Sequence, residues 1–190
     1  LEVFNYADIQ QILRQVPGVN LQLEDGYGLR PNIGIRGVQT ERSGRIMLLE
    51  DGVPIAPAPY AASSAYYFPT AGRMYSVEVL KGPAAITEGP NTIGGAINMV
   101  STPIPEETEG KVVAEVGGNS TTRVHAAYGS TNSDGFGYLI ETHQWKSDGF
   151  QSIDGSNSGT GLDIKDYTLK LGYAPVDSRH AFELKYQYAE

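Results

Sequence analysis

The sequence predicts a small α+β unit followed by a run of antiparallel β-strands. Three observations predict it. One amphipathic helical pattern lies near the N-terminus, short and densely apolar β-like runs fill the first half, and apolar and polar residues alternate through the second. Twenty-three glycines and twelve tyrosines among 190 residues suit a β-rich chain with many tight turns.

Ile9, Ile12, Leu13 and Val16 recur at i, i+3, i+4 and i+7, so residues 6–16 read as a helix. Asp8 falls in its first turn, where an anion suits the dipole, and Pro17-Gly18 stops it. Residues 19–23, 32–37, 45–55, 75–80 and 95–101 then read as short strands, with Asp51-Gly52 as a turn inside the third. Their apolar residues are packed tightly, as in a unit buried on several sides.

The Pro- and Glu-rich stretch 101–110 marks a change of texture, which divides the chain into residues 1–105 and 106–190. Beyond it, Val112, Ala114 and Val116 oppose Lys111 and Glu115, and Thr122, Val124, Ala126 and Tyr128 oppose Arg123 and His125. Residues 136–146 alternate less cleanly. Tyr167, Leu169, Leu171 and Tyr173 oppose Asp166, Thr168 and Lys170, and Phe182, Leu184, Tyr186 and Tyr188 oppose Glu183, Lys185 and Gln187. These are five strands, each with one apolar and one polar face. The connection at 147–162 is long and the others are short. A soluble sandwich and an outer-membrane barrel both fit this pattern.

Composition excludes several functions. The net charge is −8; residues 1–105 carry seven basic and nine acidic groups (net −2), and residues 106–190 carry seven and thirteen (net −6). An acidic chain without a basic cluster is not built for nucleic acid, which needs concentrated Lys and Arg. The absence of cysteine removes disulfides, thiol nucleophiles and thiolate metal sites. No apolar run approaches the roughly 18–20 residues of a membrane helix, and no signal peptide is recognisable.

Chemistry-bearing motifs are few. Residues 89–95, GPNTIGG, have the glycine spacing of a phosphate loop, but Gly95-Ala96 stand where Lys-Ser/Thr belongs, so turn and close-packing roles are expected. His125, His143 and His180 are assigned to three different strands without ligand spacing. Asp154, Asn157 and Asp163 suggest a calcium loop, yet Lys165 occupies the place of its closing glutamate. Asn119-Ser120-Thr121 is a formal glycosylation sequon. No base, nucleophile or metal cluster emerges, so an enzyme is not expected. Arg30, Arg42 and Arg45 lie in loop-like stretches, with Tyr60, Tyr66 and Tyr67 further on. Guanidinium groups beside aromatic rings suit an anionic, carboxylate-rich ligand; a solvated surface is the alternative.

The order VPGV (16–19), NIGIRG (32–37), LLEDGVPI (48–55), VEVLKGP (77–83) and EGPNTIGGAINMVS (88–101) resembles the plug domain of TonB-dependent outer-membrane receptors. The texture of GLRPNIGIRG, APAPY and YYFPTAGRM is most similar to receptors of the ferric dicitrate type. The resemblance covers most of residues 6–105 and implies an α+β plug domain, followed by antiparallel strands of a truncated transmembrane β-barrel. Family barrels have about 22 strands around a plug-filled lumen.

By that resemblance the protein is expected in the outer membrane of a Gram-negative bacterium, importing a citrate-like ferric chelate with energy from the inner-membrane TonB complex. The chelate is cargo, and no cofactor or metal site is implied. Outer-membrane lipid is the other expected partner. Arg30, Arg42, Arg45 and Tyr60 are expected on ligand-facing loops, and Arg36 and Lys81 are expected to anchor the plug to barrel-wall carboxylates. Rival expectations are a soluble β-rich binding or adhesion module and a transporter that also signals through a further N-terminal domain.

Overall fold

The computed structural model describes residues 8–24, 26–55, 67–89, 91–151, 160–175 and 177–190. Two compact units, Leu1–Thr102 and Pro103–Glu190, divide the chain.

In the N-terminal unit the helix α1 spans only Ile9–Leu13. Asp8 stands just outside it as the N-cap, its carboxylate accepting from the Gln10 N–H at 2.7 Å. Asp8 therefore satisfies an orphan donor rather than sitting in the first turn. Gly18, at φ +82°, turns the chain into β1 (Val19–Gln22). This strand pairs antiparallel with β2 (Asn32–Ile35) in a two-stranded sheet.

A second sheet is built from β3 (Ile46–Glu50), β4 (Val53–Pro54), β5 (Met74–Lys81) and β6 (Gly95–Ser101), in the order β4-β3-β6-β5. β3 and β6 are parallel, and the outer pairs are antiparallel. The Asp51-Gly52 turn forms as expected and is tied across the sheet. Asp51 accepts from the Ser101 N–H (2.8 Å) and hydroxyl (2.6 Å), and the Gly52 N–H donates to Asn98 Oδ1 (2.9 Å).

β3 is buried along its whole length because both faces of the sheet are covered. Ile46 and Leu48 join Ile9, Leu13, Ile33, Ile35 and Ile97 in one core. Met47 and Leu49 pack on the other face against Ala85 and Ala96. Two-sided burial is why this strand reads as an apolar run rather than an alternation.

The C-terminal unit is a single antiparallel sheet of β7 (Glu109–Val116), β8 (Thr122–Thr131), β9 (Phe136–Ser147), β10 (Leu162–Tyr173) and β11 (Phe182–Ala189), paired in sequence order. All five expected strands are present. Their faces are inverted relative to a water-soluble sheet. Glu141, His143 and Asp166 are 2% exposed, and Thr168 and Lys170 are 3% exposed. Val112, Val116, Ile140, Leu169, Phe182, Leu184 and Tyr186 stand exposed on the opposite face.

Fully burying one such apolar side chain is worth about 1.5–3 kcal/mol. In water this face would forfeit on the order of 10 kcal/mol, comparable with the net stability of a whole domain. The soluble-sandwich expectation requires the opposite arrangement. An apolar exterior over a polar interior is the pattern of a sheet whose outer solvent is lipid. β9, whose sequence alternates least cleanly, alternates in burial along its length, because Leu139 and Trp145 share the inner face with Glu141 and His143.

Candidate functional site

Arg30 is exposed in the loop between β1 and β2; Arg42 is exposed in a short 3-10 turn, Glu41–Ser43; and Arg45 is exposed immediately before β3. Ser43 is fully buried, and its hydroxyl donates to the Pro31 carbonyl (2.8 Å) while accepting from the Ile33 N–H (3.0 Å). Asn32, 6% exposed, accepts the Arg42 N–H on Oδ1 (2.8 Å) and donates from Nδ2 to Glu24 (2.8 Å). The start of β2 therefore clamps the loop that carries Arg42 beside the loop that carries Arg30. The Arg45 carbonyl is fixed separately by the Gly94 N–H at 2.9 Å.

The clamp holds an unfavourable backbone. Arg42 and Ser43 lie at φ +54° and +53°, a left-handed conformation that costs non-glycine residues on the order of 1–3 kcal/mol each. The result is a set of exposed guanidinium groups on short, braced loops, a chemistry suited to bidentate capture of carboxylates. Tyr60, also expected at this site, lies outside the described residues, as do Tyr66, Asp154 and Asn157. Tyr67 is engaged elsewhere. Its hydroxyl accepts from Arg73 Nη2 (2.8 Å), and Arg73 makes a two-pronged ion pair with Glu50 (2.8 and 3.1 Å) inside the unit. Of these, only Tyr67 was singled out by sequence; Asn32, Ser43, Glu50 and Arg73 were not, since each acts through contacts between separate segments.

Arg36 and Lys81 both bond to the Pro17-Gly18 turn. Arg36 is exposed at φ +57°, and its N–H donates to the Gly18 carbonyl at 2.7 Å. Gly82, at φ +88°, leaves room for the guanidinium: a Cβ there would stand 2.7 Å from Arg36 Nη1. Lys81 Nζ donates to the Pro17 carbonyl at 2.7 Å. The glycine-rich run after Lys81 packs as expected. Gly82 and Gly89 bracket a 3-10 segment, Pro83–Glu88. Gly95, at φ +143°, lies where a side chain would strike the Leu80 carbonyl and Ile35.

On the polar face of the C-terminal sheet, basic and acidic side chains meet across neighbouring strands. Arg123 bonds Glu115, His125 Nε2 lies 2.7 Å from Glu141, His143 Nδ1 lies 3.8 Å from Asp166, and Lys170 lies 3.6 Å from Glu183. His125 and His143 are register partners on β8 and β9, whereas His180 precedes β11 and lies in no strand. Among the described residues, no group of three or more His, Asp or Glu is placed to hold a metal ion.

A family model, the TonB-dependent Receptor Plug Domain, matches residues 1–96. The chain belongs to the TonB-dependent receptors. It is 30% identical over 182 residues to a vitamin B12 transporter of Vibrio vulnificus, covering 96% of this chain and 27% of the relative. It is 33% identical over 121 residues to a probable TonB-dependent siderophore receptor of Acinetobacter baumannii, covering 55% and 15%.

Among solved structures, the unliganded ferric citrate transporter FecA matches with a TM-score of 0.75 and 25% identity, covering 99% of this chain and 32% of that one. The chain thus spans 15–27% of the length of these two curated relatives. The matching proteins are outer-membrane receptors and transporters of Gram-negative bacteria, not enzymes, and what they bind is cargo rather than cofactor. The residues that the plug model matches fall within the unit Leu1–Thr102, and the C-terminal sheet corresponds to antiparallel strands of the receptor fold.

Proposed function

We propose that this chain is the plug and opening barrel strands of a receptor that imports a citrate-like ferric chelate, with energy supplied by the inner-membrane TonB complex. The observation that carries the reading is the braced arginine loop: Arg42 is held at positive φ by Asn32 and Ser43, beside Arg30 and close in sequence to Arg45. Strained non-glycine backbone is found at ligand clamps, where the surrounding contacts hold it in place. Fixed guanidinium groups lose less freedom on binding a carboxylate.

Similarity to a ferric citrate transporter supports the same cargo. Arg36 and Lys81 are proposed to anchor the plug against wall carboxylates, and Tyr60 to face the ligand with the arginines. The apolar outer face supports outer-membrane lipid as the surrounding partner.

A second reading, a corrinoid cargo, is favoured by the 30% identity to a vitamin B12 transporter across 96% of the chain. Calorimetric titration of the full-length receptor with ferric citrate, ferric enterobactin and cobalamin separates them. Tight binding of ferric citrate alone supports the proposal. Preference for cobalamin or the catecholate chelate overturns it in favour of that ligand class.

A further inference from the structure

Three glycines that the candidate site does not use lie close together on the sheet of the C-terminal unit: Gly129 on β8, Gly137 on β9 and Gly172 on β10. Gly137 and Gly172 are register partners, and Gly129 pairs two residues further along β9, with Leu139. None of the three has a positive φ, so their backbone is open to any residue. Space is what they provide.

A Cβ on Gly137 would stand 2.7 Å from Ile104 Cγ2, one on Gly172 2.9 Å from Ile104 Cδ1, and one on Gly129 2.7 Å from Pro105 Cδ. Glycine inside a strand weakens it and commonly marks a place where another chain segment comes close. The Tyr138 carbonyl also crowds Gly129 (2.6 Å) and Thr131 Oγ1 crowds Gly137 (2.7 Å), but Ile104 or Pro105 reaches all three glycines, which together make a fitted seat.

Polar contacts fix the same segment. The Thr131 hydroxyl donates to the Pro105 carbonyl at 2.7 Å, and the hydroxyls of Thr108 and Ser130 lie 2.8 Å apart. Pro103 and Pro105 flank Ile104. Each fixes its own φ and brings no N–H that would need a partner. The segment that follows the plug is therefore stiff, bonded and keyed by shape into the strands.

We infer that Gly129, Gly137 and Gly172 are a docking seat for the chain's own segment Ile104–Pro105, and that the seat stays occupied during transport. Movement of the plug then ends on the N-terminal side of Ile104, and the seated segment is its fixed point. This rests on the receptor reading but not on the identity of the cargo.

Residues 1–190 contain no cysteine, so within them a pair can be placed without competition from another thiol. In the full-length receptor, Ile104→Cys is combined with Gly137→Cys in one variant and with Gly172→Cys in another. A Cβ at 137 lies 2.7 Å from Ile104 Cγ2. The two Cβ atoms are thus at most one bond length farther apart, within the roughly 3.5–4.5 Å reach of a disulfide.

TonB-dependent uptake is measured before and after oxidation, using whichever of ferric citrate, ferric enterobactin or cobalamin the unaltered receptor takes up. The expected result is a closed disulfide with no loss of uptake. Uptake that disappears on oxidation and returns with reductant would overturn the inference, as would a folded receptor in which neither pair closes. Failure of the arginine variants to affect binding would count against the cargo reading and leave this result standing.

Discussion

Asn32 serves two loops at once, accepting the Arg42 N–H and donating to Glu24 from one buried amide. Removing it leaves both groups without that bond, at about 1–3 kcal/mol. Asn32→Ala is predicted to weaken ferric citrate binding by about tenfold, nearly as much as Arg42→Ala, when the full-length receptor is titrated. Asn32→Ala with unchanged affinity would show that the brace does not position the ligand loop.

Arg73 makes a different prediction. Its guanidinium is buried against Glu50 and Tyr67, so Arg73→Ala strands a buried carboxylate and is predicted to cost about 3–5 kcal/mol in denaturant unfolding. Pairing Arg73→Met with Glu50→Leu should recover most of that loss. The arginines themselves were legible in the sequence as loop residues. Their supports were not, because Asn32 and Arg42 are ten positions apart and Glu50 and Arg73 twenty-three. No local pattern encodes such pairs.

The strands show where periodicity informs and where it stops. The Asp51-Gly52 turn, β6 and the five C-terminal strands were legible, because turn chemistry and period-two alternation are local. Which face meets water was not: a sandwich and a barrel share the same alternation. The structure decides it through burial, and the register adds a measure.

The rung that holds Val116, Thr122, Lys146 and Asp163 is apolar only on β7, and on β10 the apolar face begins four residues further on, at Tyr167. That edge is uneven between them, since on β9 Gln144 and Thr142 keep the face polar as far as Ile140, six residues beyond Lys146. The opposite edge is an aromatic row, Phe136, Tyr173 and Phe182, in direct register. Leu169→Arg, inside the band, is predicted to cost about 2–4 kcal/mol when the receptor folds into vesicles, and Gln144→Arg at its rim only about 0–1 kcal/mol. Equal costs at both positions would contradict a lipid-facing band.

At the scale of the molecule, a plug unit with its own two-sided core precedes a sheet whose terminal strands, β7 and β11, each pair on one side only among the described residues. Excised as residues 103–190, that sheet is predicted to associate or require detergent, because unpaired edges and an apolar face both recruit partners. A detergent-free monomer by size exclusion would contradict this. The family was legible from five short motifs in order, whereas the seat for Ile104 was not, since its glycines lie far along the chain on separate strands.

The proposed function rests on the arginine loops, and one titration tests them most directly. Arg30, Arg42 and Arg45 are replaced together by alanine in the full-length receptor, and ferric citrate is titrated by calorimetry. The account predicts a loss of affinity of about a hundredfold or more, as expected when charge-assisted bonds to a carboxylate ligand are removed. Affinity equal to that of the unaltered receptor would contradict it.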